Sequence, residues 1–268
     1  MTRTVPSCIY DSTMLEPILD STRTRVAELR SRRSEIEKDV AHADAPRDFS
    51  GALAASDLRV IAEIKRRSPS AGSISPDLDP TALGAAYARG GAAAISVLTE
   101  PDHFGGSMED LAAVAAIDAA PVLRKDFILD SVQVDEARGG GADALLLITA
   151  ILGEVALSTL LERAHELGMT ALVEAHTSEE VRRAVDSGAT VVGINNRDLR
   201  TFEINLSTAE RLRHLIPAGV VAVAESGVNS PEDARRMRLA GFDAVLIGQA
   251  AAQADDPARF ISSLTGLR

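Results

Sequence analysis

At 268 residues, with 46% hydrophobic and 25% charged side chains, the chain has the composition of a globular protein and the length of two small domains or one large α/β barrel. Its formal charge of −11 and isoelectric point near 5.0 exclude a surface made for nucleic acid or anionic membrane, which need a basic field, so any phosphate bound must be small and held locally. A single cysteine, Cys8, excludes an internal disulfide and a cysteine metal cluster, and the lack of an 18-residue apolar run or an apolar leader sets the expectation of a soluble, cytoplasmic protein.

Residues 1–57 have a character of their own. From Ser12 to Val40 the chain is rich in Arg and Glu, with Leu15, Ile18, Leu19, Val26, Leu29 and Ile36 at helical spacing. This pattern predicts one amphipathic helix capped by Ser12 or Thr13, a break at Ala43 to Pro46, and a second short helix from Phe49 to Ala55. Its composition fits a charged helix packed on the body of the protein rather than a binding arm.

From Arg59 onward, short apolar runs alternate with helical patterns. The runs are Val60 to Ile64, Ala92 to Leu98, Pro121 to Leu123, Ala144 to Ile148, Thr170 to Val173, Thr190 to Ile194, Val220 to Ala224 and Ala244 to Ile247. The amphipathic stretches that follow are Pro80 to Gly90, Met108 to Ile117, Ser131 to Gly139, Val155 to Gly168, Ser178 to Gly188, Ser207 to Ile216, Pro231 to Gly241 and Pro257 to Leu264. Arg89-Gly-Gly-Ala92, Gly140-Gly-Ala-Asp143 and Ala240-Gly-Phe-Asp243 repeat one punctuation, a glycine closing a helix before a strand begins. Strict alternation means a parallel sheet covered by helices, and eight units favour a closed (β/α)8 TIM barrel. An open doubly wound sheet is disfavoured because no dinucleotide glycine fingerprint follows the first strand. The expected organisation is one domain over 1–268, with 1–57 an N-terminal helical extension capping the barrel.

In such a barrel the C-terminal ends of the strands carry chemistry. The first ends in Glu63, Lys65 and Ser68, and the second in Thr99, Glu100 and Phe104. The third ends in Arg124, Lys125, Asp126 and Phe127, and the fifth in Glu174 and His176. The sixth ends in Asn195, Asn196 and Arg197, the seventh in Glu225, Ser226 and Gly227, and the eighth in Gly248 and Gln249. Alternation along a strand puts Glu63, Lys65, Lys125, Glu174, Asn195 and Glu225 on inner faces, converging on one mouth. Three carboxylates and two ammonium groups in a partly dry cup perturb one another, so that one carboxylate is pushed towards holding a proton. That arrangement suits general acid and general base steps run side by side. Separately, Gly227 and Gly248 after the seventh and eighth strands stand where barrels of this class hold a substrate phosphate. The five histidines lack metal-ligand spacing and are expected at the surface, and Ser226 lacks the Gly-x-Ser-x-Gly elbow of a serine hydrolase.

Six segments together carry a family resemblance: Ile61-Ala-Glu-Ile-Lys-Arg-Arg-Ser-Pro-Ser70, Ser96-Val-Leu-Thr-Glu100 with Phe104-Gly-Gly-Ser107, Leu123-Arg-Lys-Asp-Phe127, Leu172-Val-Glu-Ala-His176, Gly193-Ile-Asn-Asn-Arg-Asp-Leu199 and Ala224-Glu-Ser-Gly-Val228. In order and spacing, over about residues 59 to 250, they resemble indole-3-glycerol-phosphate synthase. Ala175 and Gln249 depart from the family pattern, and the second bears on phosphate contacts. The resemblance implies closure of 1-(2-carboxyphenylamino)-1-deoxyribulose 5-phosphate with loss of carbon dioxide and water, without a cofactor or metal. It implies Lys125 as general acid, Glu174 with Glu63 handling protons in dehydration, and Lys65 pairing with carboxylates. It further implies Asn195, Glu225 and Ser226 orienting the ribulose hydroxyls. Ser68, Arg197, Gly227, Gly248 and Gln249 would surround the phosphate and line the mouth, and Phe104, Phe127 and Leu146 would pack the anthraniloyl ring. The expected partner is therefore a small phosphorylated molecule, with neither nucleic acid nor membrane, bound by a monomer or, alternatively, a homodimer. A sugar-phosphate isomerase resembling phosphoribosylanthranilate isomerase and a non-catalytic barrel subunit remain the alternatives.

Overall fold

The computed structural model describes residues 15–68, 72–74, 78–198, 201 and 203–267. The expected cap at Ser12 or Thr13 and the thiol of Cys8 lie outside them. Eight parallel strands close into a barrel: Arg59–Ile64, Ala94–Leu98, Val122–Lys125, Ala144–Ile148, Thr170–Ala175, Val191–Asn195, Val221–Glu225 and Ala244–Ile247. Each pairs with the next, and the eighth returns to the first through Arg59↔Ala244 to Ala62↔Ile247. Both faces of these strands are covered, which is why they read as continuous Val, Ile, Leu and Ala runs.

Alternation divides each strand between two layers. Ala62, Val97, Leu145 and Val245 pack outward with the helices, whereas Ile61, Leu123, Leu146, Leu172, Val223 and Leu246 fill the barrel. Phe49 and Leu53, from the short helix Phe49–Leu53, join the interior cluster beside the strand-opening residues Ala94, Ala144, Val221 and Ala244, and so plug the base. Turns into the strands use left-handed glycines, as at Gly91 (φ +86°) and Gly241 (φ +92°), where a side chain would be strained.

The extension departs from expectation in one respect. The single predicted helix is two, Leu15–Ser31 and Arg33–His42, because Arg32 leaves helical dihedrals at φ −103° and ψ 13°. The bend lets Val26, Leu29 and Ile36 all close on Val132 of helix Ser131–Gly139. The extension thus runs from mouth to base. At the base, the buried Asp143 accepts the backbone N–H of Arg47 at 2.7 Å and of Val122 at 2.6 Å, and pairs with the Arg47 guanidinium at 2.8 Å. No helix among the described residues is long and apolar enough to cross a membrane.

Candidate active site

Four of the strands, the third, fifth, sixth and seventh, extend past the apolar runs that announced them. Lys125, Glu174, Asn195 and Glu225 are strand residues, held in the register pairs Leu98↔Lys125, Ile148↔Glu174 and Asn195↔Glu225. Their α-carbons are therefore fixed by the ladder rather than carried on loops, which suits a site whose geometry must hold. Together with Glu63 and Lys65 they point into a cavity of about 200 Å³ at the C-terminal end of the barrel. Every residue to which the resemblance gave a catalytic or binding role lines it: Glu63, Lys65, Ser68, Phe104, Lys125, Phe127, Leu146, Glu174, Asn195, Arg197, Glu225, Ser226, Gly227, Gly248 and Gln249; Thr99, Glu100, Arg124, His176 and Asn196, also at strand ends, do not.

Three acids and two bases meet at its floor. Lys65 Nζ is 2.5 Å from Glu63 Oε1, and Lys125 Nζ lies 3.4 Å from Glu174 Oε2 and 3.6 Å from Glu225 Oε2. Asn195 hydrogen-bonds to Glu174 and accepts the backbone N–H of Arg197 at 3.0 Å. Two glycines make room. A Cβ on Gly193 would stand 2.1 Å from Glu225 Oε1, and one on Gly248 would stand 2.6 Å from Glu63 Oε1.

Neighbouring charges set the three carboxylates apart. All are buried, which by itself disfavours the charged form and raises each pKa. At Glu63 that push is overcome by the Lys65 and Lys125 ammoniums, and the pKa falls below the usual range. Glu174 likewise falls, through Lys125, His176 and the Asn195 hydrogen bond. Glu225 goes the other way, well above the ordinary value, because the anionic Glu174 adds to its burial more than Lys125 relieves. Burial lowers the Lys125 pKa, but Glu174, Glu225 and Glu63 outweigh it and push the pKa upward. The floor therefore holds two carboxyls biased towards the charged form, a lysine biased towards its ammonium between Glu174 and Glu225, and a third carboxyl, Glu225, biased towards holding its proton.

The walls are apolar and aromatic. The Phe104 and Phe127 rings sit 6.1 Å apart at 42°, with Leu146 on the interior face of the fourth strand. Phe104 ends a short helix, Pro101–Phe104, whose first N–H groups are all taken by Glu100, and Glu100 has no exposed surface. Thr99 donates to Asp126 at 2.7 Å. Both polar residues at the second strand's end are thus structural. On the far side, Ser226 (φ +62°) and Gly227 (φ +84°) turn the seventh loop through two left-handed residues, and strain at a non-glycine is characteristic of sites. Gly248 and Gln249 open a four-residue helix, and the exposed Gln249 side chain turns along it to Gln253 at 3.5 Å.

Sequence reasoning missed three things. His176, expected at the surface, is 10% exposed at its side chain, with Nε2 3.4 Å from Glu174 Oε1 and Nδ1 3.2 Å from Glu180 Oε2. The signal was available, since Leu172, Glu174 and His176 share one alternation. Leu15 and Ile18 of the extension also line the cavity. Their helix is tied down behind Lys125, where Arg25 holds Asp126 through two hydrogen bonds of 3.1 and 3.0 Å, while Arg124 pairs with the same buried carboxylate at 3.1 Å.

Comparison with known proteins gives a consistent picture. The family model described as "Indole-3-glycerol phosphate synthase" matches residues 15–264. An indole-3-glycerol phosphate synthase of Parafrankia sp. is 49% identical over 93% of this chain and 94% of its own length. Indole-3-glycerol phosphate synthase 1 of Streptomyces coelicolor is 47% identical over 94% of each chain. Among solved structures, 3-hexulose-6-phosphate synthase from Salmonella typhimurium superposes with a TM-score of 0.63 at 15% identity, over 77% of this chain and 96% of its own, a likeness of fold alone.

Proposed function

The chain belongs to the indole-3-glycerol phosphate synthase family, carboxy-lyases of tryptophan biosynthesis, and from that premise we propose a division of labour among the residues of its cavity. The reaction closes the indole ring of 1-(2-carboxyphenylamino)-1-deoxyribulose 5-phosphate and releases carbon dioxide and water. The isomerase and non-catalytic alternatives are not favoured.

Lys125 is the general acid at the substrate carbonyl. As the ring carbon bonds to the carbonyl carbon, negative charge builds on the oxygen, and a positioned ammonium neutralises it by donating a proton. The carboxylates around Lys125 keep it charged for that step. Loss of carbon dioxide then restores the aromatic ring. In the dehydration that follows, Glu174, held ionised, takes a proton, and the hydroxyl leaves with one from the lysine-carboxylate cluster, with Glu63 and Lys65 adjacent. Lys65 also faces the substrate's own carboxylate.

Asn195, Glu225 and Ser226 orient the ribulose hydroxyls, and the upward push on the Glu225 pKa favours a carboxyl that can donate as well as accept. Phe104, Phe127 and Leu146 pack the aromatic ring, while Ser68, Arg197, Gly227, Gly248 and Gln249 surround the phosphate. The extension closes the mouth as part of one domain, and the protein works in the cytoplasm as a monomer, which a light-scattering mass of one chain would check.

The observation that carries this reading is the convergence of Glu63, Lys65, Lys125, Glu174 and Glu225 on one cavity floor. Its test is the rise of indole fluorescence when the purified protein meets the carboxyphenylamino ribulose phosphate. Lys125→Ala and Glu174→Gln are each expected to lower turnover by about two orders of magnitude or more, roughly 3 kcal/mol of barrier. Near-wild-type rates in both folded variants would overturn the assignment of the floor.

A further inference from the structure

His176 and Glu180 form a buried pair for which the ring-closure scheme has no use. His176 stands two residues beyond Glu174 on the same alternation, so both side chains turn inward. Its imidazole bridges two carboxylates, with Nε2 3.4 Å from Glu174 Oε1 and Nδ1 3.2 Å from Glu180 Oε2. Glu180 cannot swing away easily. Its Oε2 also accepts the His176 backbone N–H at 2.7 Å, and its own N–H is taken at 3.2 Å by Thr177, the cap of helix Ser178–Asp186. His176 Nε2, by contrast, is buried and makes no hydrogen bond among the described residues, although it points at a carboxylate. A donor held on one side and aimed at Glu174 on the other is an arrangement a packing residue does not need.

We propose that His176, anchored by Glu180, is a positioning residue for Glu174: its Nε2 proton keeps that carboxylate ionised and turned towards Lys125. The inference rests on the reading of Glu174 as the group that handles the dehydration protons.

The charged groups around the imidazole come from several elements. Glu174 comes from the fifth strand, Glu180 from the following helix and Lys125 from the third strand, while Glu225 of the seventh strand acts through its hydrogen bond to Glu174. Arg183, on the same helix as Glu180, is engaged instead with the carbonyls of Thr149 and Leu152. Burial opposes the imidazolium and Lys125 adds to that opposition, yet Glu180 and Glu174 outweigh both, and the His176 pKa rises above its ordinary 6.5. The cation in turn helps to keep Glu174 low.

The test compares pH profiles of kcat and KM for wild type, His176→Leu, His176→Gln and Glu180→Gln, with Glu174→Gln as reference. Removing a cation beside Glu174 raises its pKa, so the acid limb of kcat should move to higher pH in His176→Leu, with kcat down about tenfold and KM nearly unchanged. Glu180→Gln should move the limb the same way by less, since His176 then ionises less readily. His176→Gln keeps a donor without the charge, so it should recover part of kcat but not the limb.

If Glu174→Gln is inactive and the acid limb stays in place in the His176 and Glu180 variants, the inference fails while the assignment of Glu174 stands. If Glu174→Gln turns over at the wild-type rate, both fail. Should His176→Leu not fold, the coupling can be read from the other side, because it is reciprocal. The His176 imidazole, titrated by NMR, should have a lower pKa in Glu174→Gln than in wild type, and an unmoved imidazole overturns the proposal.

Discussion

Gly193→Ala tests whether Glu225 is held where the reaction needs it. Gly193 lies mid-strand, paired with Glu174 on one side and Val223 on the other, so its backbone has little freedom to shift. An added Cβ would stand 2.1 Å from Glu225 Oε1, 3.1 Å from its Cδ and 3.2 Å from Leu172 Cδ1. To reach the 3.4 Å of ordinary contact, the carboxyl oxygen must retreat by about 1.3 Å, from 2.1 Å. Its other oxygen, 3.6 Å from Lys125 Nζ, moves with it. Because the atom that yields is the end of a side chain, the stability cost should sit at the low end of overpacking, about 1–3 kcal/mol. The catalytic cost should be larger in proportion, since about 1 Å of misplacement in a positioned group can cost about 10²-fold. Chemical denaturation and the fluorescence assay measure the two effects separately. A variant that kept wild-type kcat would show that Glu225 can leave its place without consequence, and the account of the floor would be wrong.

Glu225→Gln should show a stability change with a definite sign. A folded pKa above the ordinary 4.5 means that the folded chain holds a proton the unfolded chain releases, so this contribution is complete below 4.5 and is lost as pH rises through the folded value. Gln cannot titrate, so the variant's melting temperature should gain on wild type as pH rises above 4.5 towards the folded value, while turnover falls; a difference that stays constant with pH refutes the raised pKa. Arg25→Leu removes one of two guanidinium partners from the buried Asp126 and leaves Arg124 in place. With the Arg25 side chain 21% exposed, a loss of about 1–2 kcal/mol is expected, together with a rise in KM as Leu15 and Ile18 loosen from the cavity; an unchanged KM would detach the extension from the site.

What the sequence made legible was local. The alternation rule needs only a strand and its direction, and it aimed Glu63, Lys125, Glu174 and Glu225 into the cavity because each lies on a strand held by its neighbours, while Lys65, one residue past the end of the first strand, keeps the same phase. Where the rule was not applied to its end, at His176, a buried bridging residue was taken for a surface one. Contacts between distant segments were not legible at all. The Arg25–Asp126 pair spans 101 positions, and nothing in a helix of mixed charge distinguishes the arginine that will find a buried partner from those, like Arg23, that face solvent. The break at Arg32 has the same origin, since Ile36 keeps helical spacing from Leu29 and only the surface of Val132 asks for a bend.

Buried carboxylates occur at both ends of this barrel, and their hydrogen bonds separate the structural ones from those free to react. Asp143 at the base has both oxygens occupied, one by the N–H of Arg47 and the other by the N–H of Val122 and the Arg47 guanidinium. Asp126 is similarly filled by Thr99, Arg124, Arg25 and the N–H of Phe127, and Glu100 by the N–H groups of Asp102, His103 and Phe104. A carboxylate so satisfied has no capacity left for a substrate, and removing it would strand several donors. Glu225 differs. Its Oε1 is buried without a hydrogen-bond partner among the described residues, above a residue with no Cβ, and the carboxyl otherwise meets only Glu174, by a hydrogen bond, and Lys125, at 3.6 Å from Oε2. Leaving a buried polar atom short costs free energy that packing alone would not retain. Among the described residues the buried carboxyl with an unpartnered oxygen, Glu225, is thus one that lines the cavity at the C-terminal mouth, where a ligand's hydroxyl can complete it.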